Sequence, residues 1–437
     1  NNTATGNGNA IRFASVCDGS YNWWGNNTPF NSGNKLIYNS SNQDYITPND
    51  WVILTSTCND GIISTFLNKI NNTSGVVSNL PEDLTIPERS TIYNVSNIYN
   101  NPGNTQSTSI YFGDEDTISV TVDNQTLALT ATPFKGFYVN GSTTDTIVDG
   151  TLEHPFHNIT SALEYANLVK HEVTIYITNG IYHDINMTIS NNVNISSYNH
   201  EDVVIDAEGK GYIFYITNNV NVGVNGLEFI NGTGYGRDYY TDGGVISIDK
   251  GNLNVADSKF INNNATDRGG AIYNNGGDVN VTNSIFINNY ASYFGSVICD
   301  FDGAVNVTNS TFINNKAEQY GGIICAFDAD VYVADCLIVN NTAYEDGGAI
   351  YESSGDVNII NSTFINNSGP YHGGAISMSR PSNFNIIGSL FINNTALEDC
   401  GGAIFIDYNK GYIVNSTFIN NTAGNYGGAI CSFDVLN

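Results

Sequence analysis

Basic residues are scarce in this chain. Fourteen Lys and Arg stand against 42 Asp and Glu among 437 residues, a formal net charge of −28. A surface that acidic repels phosphate backbones and anionic headgroups, so nucleic acid and membrane-surface partners are excluded. No run of about 18 consecutive apolar residues exists, so no segment reads as a membrane-spanning helix. The seven cysteines include no CxxC pair, which disfavours zinc sites and redox motifs. Charged residues make up only 13%, and Asn, Thr, Ser, Tyr and Gly fill their places, as in a secreted β-protein. Asn1 follows no initiator Met or leader, which reads as a processed product or a segment of a longer polypeptide.

What is present is a repeated phrase. Phe260, Phe286, Phe312, Ile338, Phe364, Phe391 and Phe418 head similar segments at intervals of 26, 26, 26, 26, 27 and 27 residues. An Asn pair follows each, and then a Gly-Gly-Ala-Ile-like phrase, as at 373–376. Self-similarity at this period signals a solenoid whose units bury their apolar faces only against neighbouring units. Within one period, Val279 and Val281 alternate with polar residues, 285–287 forms a second strand and 295–298 leads into a third. The expected fold is all-β: a right-handed parallel β-helix of ~26 residues per coil, each rising about 4.8 Å. The phenylalanines should stack as an internal column. Asn262, Asn288, Asn314, Asn340, Asn366, Asn393 and Asn420, the first of each pair, should form a hydrogen-bonded corner ladder.

Upstream segments differ in kind. Residues 134–437 read as the β-helix, opened by a capping helix near 158–169, where Ile159, Ala162, Leu163 and Ala166 fall at i, i+3, i+4 and i+7. Residues 46–133 lack the period and carry several short strands between turns, which argues for an Ig-like β-sandwich. Residues 1–45 read as the terminal coil and cap of a preceding β-helix, because 1–11 matches 420–430 and 21–25 (Tyr-Asn-Trp-Trp-Gly) looks like an aromatic plug.

Phe-Ile-Asn-Asn at 364–367 with Gly-Gly-Ala-Ile at 373–376, and Asn-Trp-Trp-Gly at 22–25, resemble the adhesin-like surface proteins of methanogenic archaea. Those carry pectate-lyase-like β-helices with interposed sandwich domains, in a repeat style similar to the chlamydial polymorphic outer-membrane proteins. The resemblance covers most of the chain. It implies cell-surface display and adhesion and names no ligand.

The chemistry-bearing residues support a structural protein rather than an enzyme. A lyase needs a base and a cation beside the uronate carboxylate. Here Arg268, Lys316, Arg380 and Lys410 are scattered between coils, and the six histidines form no constellation. Asp300, Asp302, Asp328, Asp330 and Asp434 follow equivalent phrases and are candidates to stack as a Ca²⁺ corner, the alternative being a solvated turn. No other cofactor is expected. Cys299 and Cys325, 26 apart, should stack, either as thiols or as a disulfide. Sequons number about twenty, and Asn26, Asn94, Asn124, Asn140, Asn158, Asn309, Asn361 and Asn415 are glycosylation candidates if the chain is exported.

The expected function is that of an extracellular adhesive rod. Its expected partners are copies of itself joined head-to-tail, or adjoining repeats of a longer chain, with cell-surface glycans or other cells as contacts. Asn1, Ala10, Ile11, Ile430, Val435 and Asn437 would lie at the assembly edge. The alternatives are a polysaccharide lyase or hydrolase, and a glycan-binding module using Tyr235, Tyr239 and Tyr240.

Overall fold

The computed structural model divides into two compact units, residues 1–135 and 136–437. It describes the second unit apart from positions 147, 170, 235–241, 381–382, 408–409 and 434–437, and in the first unit its strands and residue 134.

Two antiparallel sheets dominate the described part of the first unit. One pairs Asp50–Asn59 with Ile62–Asn72, which also pairs with Val77–Asn79 and Ser107–Tyr111. The other places Thr117–Val122 between Gln125–Thr130 and Thr91–Tyr93. Ile118, Val120 and Val122 alternate inward, as a half-buried strand requires, and are fully buried with Leu54, Ile63 and Leu67. Ahead of these, Ile11–Phe13 pairs in parallel with Ile37–Asn39.

The second unit is a parallel β-solenoid. A ten-stranded sheet runs from Gly180–Tyr182 to Thr417–Ile419, each strand pairing with its equivalent one coil away. A 19-stranded sheet takes further segments from the coils, and two-residue strands such as Tyr290–Ala291 and Lys316–Ala317 complete the turn. In place of three separate strands, the last segment of one period and the first of the next join as one bent strand in Ile272–Thr282 and Ile298–Thr308. The bend occurs where the backbone is left-handed, at Gly276, Gly277 and Asp302.

Phe286, Phe312, Ile338 and Phe364 are register partners in one internal file. Phe286 and Phe312 stack at 4.9 Å with a 4° interplanar angle, and Phe364 and Phe391 at 4.8 Å. The strand spacing sets that separation, so each ring is stacked without any adjustment of its own.

The asparagines differ from the expected arrangement. The first of each pair takes a left-handed backbone, with φ of 58° at Asn262 and 57° at Asn314. Its side chain reaches a neighbour only on the outside, as in Asn288 Nδ2 to Asn262 Oδ1 at 3.2 Å. The continuous ladder belongs to the second residue. Asn315 Oδ1 accepts from the backbone N–H (2.9 Å) and Nδ2 (3.0 Å) of Asn289, while Asn315 Nδ2 donates to Asn341 Oδ1 and the Phe286 carbonyl. Equivalent bonds run from Asn263 to Asn421. The physical reason is the turn itself. One left-handed residue reverses the pleat, so the residue after it points inward.

A serine ladder marks the preceding corner. Ser258, Ser284, Ser362 and Ser389 donate their backbone N–H to the hydroxyl one coil on. Cys336 occupies one rung, its thiol donating to the Ala334 carbonyl at 3.1 Å.

The α-helix of the described residues, Ile159–Ala166, packs against Gly136–Val139, Val173–Ile177 and Met187–Ile189 through Ile159, Ala162, Leu163 and Ala166. Asn158 caps it, its Oδ1 accepting from Ser161 N at 2.8 Å. Asn158→Ala is expected to destabilise this end by about 1 kcal/mol. Amide exchange at Ser161 and Ala162 should then speed up while exchange at Phe312 stays unchanged; equal acceleration at both would sink the assignment.

Candidate functional site

Where each coil meets its glycine pair, the residue just before the first glycine lies on an outer corner, and this position escapes the repeat. It holds, in successive coils, Asp242, Arg268, Phe294, Tyr320, Asp346, His372, Cys400 and Tyr426. Backbone bonds keep the file in register, with Gly295 N donating to the Tyr320 carbonyl and Gly321 N to that of Asp346. The glycines are required here: Gly321 has φ +66°, and a Cβ on Gly322 would overlap the backbone of the next coil.

Along this file neighbours are chemically matched. Arg268 binds Asp242 through two bonds, Nε to Oδ1 at 3.0 Å and Nη2 to Oδ2 at 2.9 Å. Burial still raises the Asp242 pKa, against the pull of the guanidinium. The same guanidinium lies 5.1 Å from the Tyr273 ring centre and 5.2 Å from that of Phe301. Phe294 stacks on Tyr320 (5.5 Å), Tyr320 on Tyr351 (4.7 Å) and Phe301 on Phe327 (4.9 Å). These rings are half-buried and form one continuous aromatic face. Burial pushes the Tyr273 hydroxyl up to about 12, so it stays a neutral donor at physiological pH.

Cys299 and Cys325 lie beneath this face. They are register partners, both free thiols and both fully buried. Strand alternation turns them away from the interior, toward which Ile298 and Asp300 point. Burial raises the Cys299 pKa, so the thiol stays protonated and unreactive.

The aspartates proposed as a Ca²⁺ corner do not share one place. Asp302 and Asp328 are coil equivalents, exposed, with left-handed φ of 67° and 53°. Asp330 pairs in register with Ala304 and accepts from the Asp356 backbone N–H at 2.9 Å. Asp300 stands apart, fully buried in the interior, where Asn274 Nδ2 donates to it at 2.6 Å. Glu352 occupies the same interior file two coils on, with Ala326 between. Burial pushes Asp300 up to about 7 and Glu352 up to about 8. Asp434 lies outside the described residues.

Asn309, Asn361 and Asn415 occupy equivalent exposed left-handed corners. Asn140 Oδ1 accepts from Ser142 N and Oγ, and Asn158 is the helix cap. Asn26, Asn94 and Asn124 lie outside the described residues, as do Tyr235, Tyr239, Tyr240, Asn1, Ala10, Val435 and Asn437. Ile11 opens a three-residue strand, and Ile430 is partly exposed on the last described strand, Ile430–Ser432.

Sequence reasoning missed the pre-glycine file and Glu352, and it named Asp300 without placing it in the interior. The signal for the file was present: aligned on Gly-Gly, the residue ahead of it changes from coil to coil while the glycines and the Ala-Ile after them recur.

Residues 257–275, 335–351, 361–379 and 415–432 match the Chlamydia polymorphic membrane protein (Chlamydia_PMP) repeat. The likeness is one of repeat style. Each matched segment starts at a left-handed corner (Asp257, Asp335, Asn361, Asn415) and runs through the inner aromatic or aliphatic strand and the Asn ladder to the glycine pair. The repeat thus coincides with the structural parts that stack the coils. No curated protein matches the chain.

Proposed function

We propose that this chain is a rod-forming part of an extracellular adhesive surface protein, of the kind found on methanogenic archaea, and that it has no catalytic role. One observation carries the reading: coil after coil keeps the same register, and the matched repeat segments supply the residues that hold it. A column whose interior is filled by stacked Phe and Asn resists bending, because every coil is bonded to both neighbours. In this reading residues 1–45 end a preceding solenoid, 46–133 are an Ig-like spacer and 134–437 project the contact face. Ile413, Phe418 and Ile430 are partly exposed where their partners one coil earlier, Ile386, Phe391 and Ile404, are buried, an apolar end suited to a further coil from adjoining repeats or another copy.

Electron microscopy of the full chain should show straight rods that join end to end at high concentration. Protease applied to intact source cells should remove the protein, and intact mass should exceed the chain mass by whole glycans. Compact particles, or complete protection on cells, would overturn the proposal. Product release from acidic polysaccharides, lost on Asp302→Asn, would replace it with the lyase reading.

A second reading has its own observation. The aromatic face around Arg268, Tyr320 and Tyr351 offers ring surfaces and a cation for a glycan. Glycan-array binding should fall at least tenfold in Tyr320→Ala; unchanged binding would remove this face from consideration.

A further inference from the structure

We infer that the corner formed by His372, Asp399 and Cys400 is a zinc site. The donor atoms of these three residues lie within 4.8 Å of one another, although they come from two coils. Imidazole nitrogen, carboxylate oxygen and thiolate sulfur are the ligand types Zn²⁺ takes, and three protein donors leave a fourth position for water.

The surroundings are those of a metal-binding histidine. Asp346, one coil earlier in the pre-glycine file, holds His372 from behind: its Oδ1 accepts from the His372 backbone N–H at 3.0 Å and lies 2.9 Å from Nδ1. That carboxylate fixes the ring and directs Nε2 toward Asp399, whose Oδ2 is 3.1 Å away. Cys400 is fully buried, and a parallel bridge joins it to His372. Phe405 closes the other side of the ring, with ring centres 4.4 Å apart. Cys400 also packs with Cys431, so a second thiol stands next to the first.

Unmetallated, an imidazolium between Asp346 and Asp399 satisfies the same geometry, and both carboxylates raise the His372 pKa. Zinc replaces that proton and the thiol proton of Cys400, and binding therefore releases protons. No step of the adhesive reading depends on this site, so the two stand or fall separately.

The test is zinc loading of the reduced full chain, dialysis and elemental analysis, with Co²⁺ as a spectroscopic probe. One zinc per chain is expected, and Co²⁺ should give a thiolate charge-transfer band with tetrahedral d–d absorption. Cys400→Ser should abolish the band. Asp399→Asn, at a partly exposed position where folding is not at stake, should weaken zinc binding at least tenfold. Asp346→Asn, one shell out, should weaken it about 10–100-fold. Cys325→Ser should change nothing. No retained zinc, or a cobalt spectrum unaltered in Cys400→Ser and Asp399→Asn, would overturn the assignment.

Discussion

Asn315→Leu is expected to destabilise the solenoid by at least about 4 kcal/mol, although leucine is more apolar and nearly the same size. The substitution takes a partner from three buried groups: the Asn289 backbone N–H, one N–H of the Asn289 side-chain amide, whose other N–H still reaches the Phe260 carbonyl, and the Phe286 carbonyl. An unsatisfied buried polar group costs roughly 1–3 kcal/mol, and three of them outweigh what an extra apolar side chain returns. Asn315 itself is fully buried, so water cannot take its place. Asn314→Leu, one residue earlier, tests backbone rather than hydrogen bonding, because Asn314 is left-handed at φ 57° and a leucine there is strained by about 1–2 kcal/mol. Urea unfolding followed by amide exchange in the neighbouring coils separates the two. A loss below about 1 kcal/mol for Asn315→Leu would show that the ladder is ornamental.

Raising the pH should destabilise the wild-type solenoid, and Asp300→Asn with Glu352→Gln should remove that loss. Unfolded, these carboxyls release their protons near pH 4; folded, burial delays release to about 7 for Asp300 and about 8 for Glu352. Between those limits the native chain holds more protons than the unfolded chain, so stability falls as pH rises. The stabilising difference is fully present below about pH 4 and is spent once both groups ionise in the folded state above about pH 8. A shift of roughly three units corresponds to about 4 kcal/mol per group, as an order of magnitude. Asp300 Oδ2 and Glu352 Oε2 have no hydrogen-bond partner, so nothing nearby stabilises the charged form enough to offset its burial. Urea midpoints for the double variant should match wild type near pH 4 and exceed it clearly at pH 9. Parallel pH profiles for the two proteins would sink the idea.

The legibility of this chain was uneven for a physical reason. In a parallel stack, residues one period apart are neighbours in space, so Phe286 beside Phe312 and Cys299 beside Cys325 follow from counting. Counting does not say which way a side chain points. Asp300 and Asp302 are two residues apart and both acidic, yet one is buried and the other exposed, because a left-handed bend begins at Asp302. His372 and Cys400 are 28 residues apart rather than 26, since that coil is longer, and the offset hides the pair from a fixed-period comparison.

The amino-acid order by itself determined the coil length, the parallel β-solenoid and the members of the Phe file and of the Cys299–Cys325 pair, because a period in sequence is a translation along the stack. Only the tertiary structure decided which face each file occupies: that the second Asn of each pair lies inside, that Asp300 and Glu352 share the interior, and that Asp346, His372, Asp399 and Cys400 converge. Those outcomes depend on single left-handed residues that reverse the pleat and on corner lengths that shift a coil by one or two residues. The first leaves no mark in the periodicity of the chain, and the second only a change of one or two residues in its spacing.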